Sequence, residues 1–328
     1  MFMYRLAGTY RQIGAEYGML LRANRVPLPQ LSQTRREFFK ACEPHLREYA
    51  AELFEEVDGI AEGGGYDVER IRGVALAPSA RPECTAMAIA GQHTASGKTM
   101  VGRNHDWFGA GYLAFCETRP QGAIPSLGVN DLFVGRPDGI NAAGVAVAIT
   151  AVEGGRDHPG IMFNLASRMV LDRCHSTEEA VQFLQRIRHA RTINFLVADA
   201  SGDIALVEAA PRKVHVTRPE NGVAVVTNHF QSDEMARYEY VRKRASNSYP
   251  RYCTLREWFA ARRGPITVED MQAIFRTPYS QGVCVLPRGH GRGIHTVWSW
   301  VAELGTGELH FAAGSPCETA YKEYGFSD

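Results

Sequence analysis

Regular cysteine spacing, an excess of one charge sign and long apolar runs are all missing from this sequence. Lysine plus arginine and aspartate plus glutamate number 36 each, so no field of one sign favours nucleic acid or an anionic membrane as a partner. No stretch approaches the roughly 20 apolar residues of a membrane span. The opening residues, MFMYRLAGTYRQIG, lack the basic and apolar regions of a secretory signal. We therefore expect a soluble, cytoplasmic protein without nucleic-acid or membrane partners.

The seven cysteines are scattered, at positions 42, 84, 116, 174, 253, 284 and 317. They are odd in number and contain no C-x-x-C pair, whereas a disulfide framework or a structural zinc site shows more regular spacing. We expect reduced thiols, most of them buried as small apolar side chains.

Signatures of several common enzyme classes are also missing. There is no G-x-S-x-G elbow, which disfavours a serine α/β-hydrolase. The run GHGRG at 289–293 lacks the lysine and the strand-to-helix setting of a phosphate-binding loop. His105 and Asp106 have no H-x-x-x-H or H-E-x-x-H partner nearby, so we expect no metal site there.

The first 83 residues differ in pattern from the rest of the chain. Residues 9–26 and 34–65 have helical character, and in the second stretch apolar residues recur every three or four positions from Phe39 to Ile60. The glycines at 63–65 would end that helix, and residues 66–83 have the composition of a linker. We expect a helical segment over 1–83 and a second region over 84–328.

From position 84 onward the pattern is that of strands and hairpins. TAMAIAG and KTMVGRN flank a turn, residues 161–187 contain two helices, and HTVWSWVAELGTGELHFAAGSP is a closing hairpin. Hairpins without β-α-β crossovers indicate antiparallel sheets with helices packed outside them. The predicted class is therefore an α+β layered fold.

Cys84 begins the first strand, directly after the predicted linker. A strand start fixes the backbone of a nucleophile while its side chain faces an open end of the sheet. If the bond between Glu83 and Cys84 is cut, Cys84 gains a free α-amine with a pKa of about 7.7–8.0, which can act as the base for its own thiol. No separate histidine is then needed.

A family resemblance runs along the chain in order. CTAM…GKTMVGRNHDW resembles the start of the catalytic chain of the N-terminal nucleophile (Ntn) cysteine amidases, which include choloylglycine hydrolase and acid ceramidase. LAGTYRQIGAEYGMLLR, PDGINAAGVAVAIT, VVTNHF, SNSYPRY and HTVWSWVAEL resemble successive motifs of a closer group. That group is the acyl-coenzyme A:6-aminopenicillanic acid acyltransferase family, peptidase family C45.

The resemblance implies a role for each matching residue. Cys84 matches the nucleophile of self-cleavage and catalysis, and Arg103 and Asp106 match the pair that orients its thiol and amine. Asn228 matches the oxyanion-stabilising asparagine, whereas Glu83 stands where a small residue is common. Three further residues match substrate-binding or supporting positions: Arg251, Asn141 and Glu208.

The implied fold is a four-layer αββα sandwich with a helical pro-segment, which becomes the first of two chains cut from one precursor. The implied activity is hydrolysis or acyl transfer at a linear amide C–N bond of a small molecule through an acyl-Cys84 intermediate. No cofactor is expected, although acyl-CoA or an acyl-carrier thioester could serve as co-substrate. The resemblance is also compatible with a homo-oligomer. Two alternatives stay open: an amide-forming condensing enzyme of natural-product assembly, and a non-catalytic relative. The loops FGAGYLAFCETRP and FQSDEMARYEY, with Met235, suggest a partly apolar pocket.

Overall fold

Two β-sheets lie between layers of helices in the computed structural model, which describes residues 3–77, 83–108, 114–130, 133–240, 247–287 and 293–327. Helices from the first part of the chain cover one sheet, and helices near the end cover the other. The predicted αββα order and α+β class are confirmed. Among the helices of these ranges, none is long and apolar enough to cross a membrane.

The strands of the described ranges, β1 to β14, are Tyr4–Gly8, Glu83–Ile89, Met100–Phe108, Ala114–Pro120, Ser126–Asn130, Asp138–Asn141, Val145–Ala151, Ile193–Asp199, Ile204–Ala210, Lys213–Thr217, Val223–Val226, Ile294–Glu303, Glu308–Ala312 and Lys322–Gly325. The helices, α1 to α9, are Tyr10–Ala23, Gln33–Tyr49, Glu52–Gly64, Val68–Leu76, Phe163–Arg173, Thr177–Arg186, Asp233–Ala236, Ser248–Ala260 and Val268–Arg276.

The larger sheet has eight strands in the order β1-β4-β5-β6-β7-β8-β9-β10, and the smaller has six in the order β11-β2-β3-β12-β13-β14. Neighbouring strands are antiparallel except β1 and β4, which pair in parallel at the edge of the larger sheet. Alternation along β2 sends Ala86 and Ala88 toward the larger sheet and Met87 and Ile89 toward α8 and α9. Both faces of β2 are therefore buried.

Helices α1 and α3 approach each other so closely that glycine is required at their contact. A Cβ atom on Gly14 would lie 1.9 Å from the carbonyl oxygen of Glu56, and one on Gly63 would lie 1.9 Å from that of Ala15. Any side chain at these positions would force the helices apart. This contact gives a physical reason for Gly14 in the motif LAGTYRQIGAEYGMLLR.

A buried charge cluster joins the first segment to the rest of the molecule. Arg168 of α5 forms ion pairs with Glu56 of α3 at 3.0 Å and with Asp172 at 2.8 Å, and all three side chains are fully buried. Tyr10 of α1 donates to Asp172 at 2.9 Å. Helices α1 and α3 thus share one core with α5 and the larger sheet.

Two local expectations for the first segment are wrong, and one strand was missed. Residues 34–65 form two helices rather than one, because the chain leaves helical geometry at Ala50. Ala50 is itself buried, so the apolar pattern of the sequence continues across the break between the helices. The predicted linker contains α4, which begins after the capping residue Asp67 and buries Ile71. Strand β1 was not predicted from its five residues. Residues 78–82, also assigned to the linker, lie outside the described ranges.

The expectation of reduced cysteines is wrong for one pair. Cys284 and Cys317 form a disulfide across a sequence separation of 33 residues, with Cα atoms 6.4 Å apart. Cysteine spacing gave no sign of this pair because tertiary packing brings the two loops together. Cys42, Cys84, Cys116, Cys174 and Cys253 are free thiols.

Candidate active site

The hairpin of β2 and β3 brings Arg103 to the thiol of Cys84. The strands pair antiparallel, with Cys84 opposite His105 and Ala86 opposite Arg103. Side chains two residues apart on a strand share a face, so Arg103 and His105 both point to the side of the thiol. The Nη2 atom of Arg103 lies 3.0 Å from the Sγ atom of Cys84.

Arg103 is held in place from the other sheet. Its guanidinium forms an ion pair with Asp138 of β6, and both side chains are completely buried. It also donates to the carbonyl oxygen of Ile149 in β7, at 3.2 Å from Nη2 and 3.3 Å from Nε. A buried guanidinium needs such partners. Asp138 therefore neutralises and fixes the cation beside the thiol.

His105 lies closer to the thiol than its sequence context suggested. Its Nδ1 atom is 3.7 Å from the Sγ atom of Cys84 and 3.0 Å from Nη2 of Arg103. The imidazole ring stacks on Trp298, with centroids 3.6 Å apart. Burial and the neighbouring Arg103 hold the pKa of His105 well below its usual range, so the ring is neutral and accepts a hydrogen bond from Arg103.

Asp106 points to the opposite face of β3 from Arg103. Its Oδ1 atom accepts from the hydroxyl of Thr296 at 2.6 Å, and its Oδ2 atom lies 3.7 Å from Nη1 of Arg251. Burial raises the pKa of Asp106 to about 6, with a further increase from Glu83, while Arg251 and Thr296 oppose the shift. The charged partner of Asp106 is therefore Arg251 rather than Arg103. Arg251 also contacts the backbone of Cys84, so Asp106 lies on the face of the hairpin opposite the thiol.

Asn228 and Arg251 contact the backbone of Cys84. The amide nitrogen of Cys84 donates to Oδ1 of Asn228 at 3.0 Å, and Nη1 of Arg251 donates to the carbonyl oxygen of Cys84 at 2.7 Å. Nη2 of Arg251 also donates to Oδ1 of Asn228 at 2.8 Å. Nδ2 of Asn228 donates to the carbonyl oxygen of Ala151 at 2.8 Å. The nitrogen expected to become the α-amine is thus already bound.

Asn141 and Glu208 contact other parts of the fold. Nδ2 of Asn141 donates to the carbonyl oxygens of Leu171 and Cys174 at 3.0 and 2.9 Å, which ties its hairpin to the end of α5. The buried carboxylate of Glu208 accepts from the backbone N–H of Ser232 at 3.2 Å. It therefore supports the loop that follows Asn228, and neither residue bonds Cys84 within the described ranges.

The thiol is neutral while Cys84 remains inside an intact chain. Burial raises its pKa to about 11, although Arg103 opposes the shift. Among the described residues, no group of three or more histidine, cysteine, aspartate or glutamate side chains is arranged to hold a metal ion. The run GHGRG falls almost entirely at 289–292, outside the described ranges. The site thus combines the buried thiol of Cys84, the guanidinium of Arg103 held beside it, and the side-chain amide of Asn228, which is hydrogen-bonded to the backbone of Cys84.

His105 and Asp138 were missed as site residues. For His105 the signal was present: it stands two residues after Arg103 on a strand, so alternation alone puts both on one face. For Asp138 there was none, because its contact with Arg103 joins two different sheets.

Two antiparallel-rich sheets between helical layers, with a cysteine at a strand start, are the architecture of the Ntn hydrolases. The sequence profile of the acyl-coenzyme A:6-aminopenicillanic acid acyl-transferase family matches residues 93–316. Because this is more than half of the chain, the chain belongs to that family. It is an enzyme of the amide-hydrolysing and acyl-transferring kind. The matched stretch contains Arg103, Asp106, Asn228 and Arg251 and begins nine residues after Cys84.

Several solved structures resemble the fold of this chain at low sequence identity. A variant of the conjugated bile acid hydrolase from Clostridium perfringens has a TM-score of 0.53 at 15% identity, with 74% of this chain and 97% of that chain covered. An N-acylethanolamine-hydrolyzing acid amidase ortholog from Caenorhabditis elegans has a TM-score of 0.50 at 16% identity, with 74% and 100% covered. Penicillin V acylase from Agrobacterium tumefaciens has a TM-score of 0.47 at 22% identity, with 70% and 83% covered. No curated protein sequence matches the chain.

Proposed function

We propose that the chain cuts itself between Glu83 and Cys84 and then cleaves a linear amide bond of a small molecule through an acyl-Cys84 intermediate. The observation that carries the proposal is that both reacting ends of Cys84 are held separately. Arg103 contacts its thiol at 3.0 Å, and Asn228 accepts from its nitrogen at 3.0 Å. A residue with a purely structural role has no need for charged or amide partners at both ends.

Self-cleavage would proceed as a shift from nitrogen to sulfur. The thiol of Cys84 attacks the carbonyl carbon of Glu83, its proton passes to the departing nitrogen of Cys84, and a thioester replaces the peptide bond. Water then hydrolyses the thioester, which leaves a carboxylate on Glu83 and restores the thiol. The products are chains of residues 1–83 and 84–328.

Turnover would use the amine released by this cut. The α-amine of Cys84 takes the thiol proton, the thiolate attacks the substrate amide, and the amine returns the proton to the leaving nitrogen. Arg103 stabilises the thiolate. Asn228 is the proposed oxyanion donor, a role worth roughly 3–4 kcal/mol where such donors have been removed. Water or an amine then takes the acyl group, depending on whether the closed site excludes water.

The mass of the purified protein tests the first step. We expect wild-type protein to separate under denaturing conditions into chains of 1–83 and 84–328, whereas Cys84→Ala stays a single chain. The 84–328 chain should gain the mass of one acyl group after brief exposure to a substrate. A wild-type chain that stays whole under these conditions refutes maturation at Cys84.

A further inference from the structure

We propose that a basic pocket beside the active site binds an anionic group, so that the preferred amide substrate carries a carboxylate. The proposal rests on the amidase function given above and adds to it a class of substrate. It comes from the position of the pocket, the charges that line it and the partners of the nearby acidic side chains.

The pocket opens at the sheet edge where Asn228 is anchored. Strand β7 ends at Ala151, whose carbonyl oxygen accepts from Asn228. Ala151 pairs with Ile193, and Ile193 pairs with Ala209, so the ends of β7 and β9 and the start of β8 meet at this edge. The pocket is lined by the residues that continue from these points, including Gly155 and Pro211. Four residues span at most about 14 Å, so Gly155 lies within that distance of Ala151.

Arginine is the most frequent residue type in the lining. The pocket has a volume of about 350 Å³, within the usual range for small-molecule sites. Arg156, Arg212 and Arg237 line it together with a single carboxylate, Glu239. The whole chain has equal numbers of basic and acidic residues. Three arginines against one acid at a single pocket are therefore a local excess of positive charge.

Two of the acidic groups nearby, Asp157 and Glu239, are held by other partners. Asp157, next in sequence to Arg156, forms ion pairs with Arg191 at 2.6 Å and with Arg35 at 3.4 Å. The carboxylate of Glu239 accepts from the backbone N–H of Phe230 at 3.0 Å. These contacts fix the acids in place. They do not neutralise the arginines of the pocket.

The arginines themselves have no ion-pair partner in the part of the chain that the structure describes. Arg156 and Arg212 are exposed, and the guanidinium of Arg237 lies 5.1 Å from the ring centroid of Tyr238. Tyr238 and Tyr240 also line the pocket, and Tyr240 is 60% exposed. A planar guanidinium donates two parallel hydrogen bonds to a carboxylate, which makes this group its natural ligand.

Met235 belongs to the support of this pocket. It is fully buried with Val152, Ala210 and Phe230 in a small apolar cluster. The pocket lined by the end of the loop FQSDEMARYEY combines arginines with tyrosines and other apolar surface, which agrees with the partly apolar pocket predicted there. The other loop named for the pocket lies partly at 109–113, outside the described ranges.

Matched amides test the preference. N-Hexanoylethanolamine is neutral, N-hexanoylglycine carries a carboxylate on the amine side, and N-adipoylethanolamine carries one on the acyl side. We expect one of the two charged amides to have a kcat/KM at least about tenfold above that of the neutral amide at low salt, and to lose this advantage as salt is raised. The charged amide with the higher kcat/KM identifies the side of the substrate, amine or acyl, that enters the pocket. Equal kcat/KM values for all three amides overturn the proposal.

A triple variant, Arg156→Gln, Arg212→Gln and Arg237→Gln, tests the residues. The preference for the charged amide should fall roughly tenfold, since several exposed charge contacts are removed together. Arg263→Gln is the matched control, because Arg263 is also exposed and lines a different pocket. An unchanged preference in the triple variant overturns the proposal.

Calorimetry separates this proposal from the amidase function. Cys84→Ala protein should bind N-hexanoylglycine or N-adipoylethanolamine more tightly than N-hexanoylethanolamine, and the three arginine substitutions should abolish the difference. If wild-type protein hydrolyses none of the amides but this binding difference is found, the function fails and the pocket stands. If hydrolysis occurs and no binding difference is found, the pocket fails and the function stands.

Discussion

The Nδ1 atom of His105 lies 3.7 Å from the Sγ atom of Cys84, and the guanidinium of Arg103 contacts both atoms. The imidazole is neutral because burial and Arg103 depress its pKa. It therefore acts on the thiol indirectly: it accepts from Arg103 and turns that side chain toward the sulfur. We assign His105 the role of a positioning residue.

Replacement of His105 by phenylalanine tests this role. His105→Phe keeps a ring to stack on Trp298 but removes the acceptor for Arg103. We expect kcat to fall about ten- to hundredfold with little change in KM, the effect of losing one hydrogen bond to a charged group. His105→Asn, which restores an acceptor near the same place, should recover part of the loss. Equal kcat values for the two variants would contradict the assignment.

Asn228→Ala tests the proposed role of Asn228 as oxyanion donor. We expect kcat to fall by roughly 10²–10³ while KM changes little, because the contact is strongest in the transition state. Asn221→Ala, at an exposed position before β11, is the control and should leave both constants unchanged. A change in KM alone shows that Asn228 binds substrate without stabilising the oxyanion.

Asp138→Asn should destabilise the protein strongly. The substitution leaves the completely buried Arg103 without its charged partner, and breaking a buried pair costs about 3–5 kcal/mol. Urea unfolding of the Cys84→Ala chain measures the free energy of unfolding without interference from self-cleavage. Asp203→Asn is the control, since its ion pair with Arg218 is exposed and should contribute less than about 1 kcal/mol. Similar losses for the two variants would show that Asp138 does not stabilise Arg103.

Stability should depend on pH through Asp106. Burial raises its pKa in the folded chain to about 6 from an ordinary value of 3.8, so the folded state keeps the proton over a range where the unfolded state has lost it. The free energy of unfolding should therefore decrease as pH rises from about 4 to 6, by up to about 3 kcal/mol. Comparison of Cys84→Ala with Cys84→Ala/Asp106→Asn by urea unfolding isolates this contribution. Identical pH slopes for the two chains rule it out.

The layered architecture could be predicted because it depends on short-range patterns. The sequence shows the alternation along β2 and β3, the turn between them and the absence of crossovers. The same hairpin pattern also brings Arg103 to Cys84. The same patterns fail where one residue changes the outcome. A single non-helical residue, Ala50, divides a continuous apolar stripe into two helices.

Contacts between distant segments could not be predicted. The ion pair of Arg103 with Asp138 joins two sheets, and the bond from Thr296 to Asp106 joins residues 190 apart in sequence. The family resemblance supplied Arg103 and Asp106 as expected partners of Cys84 but did not say which side of Cys84 each one faces. Strand alternation sets the two side chains on opposite faces of β3, and that rule could have been applied to RNHDW.

Strand β1 changes what a cut before Cys84 means for the molecule. Tyr4–Gly8 is hydrogen-bonded into the larger sheet, and Glu56 is paired inside the shared core, so the two products would remain folded together. Unfolding would nevertheless become a dissociation into two molecules, and its midpoint would shift with protein concentration. The uncut Cys84→Ala chain would unfold at the same temperature at every dilution. A reaction that leaves the shape unchanged would thus make the stability of the enzyme depend on how much of it is present.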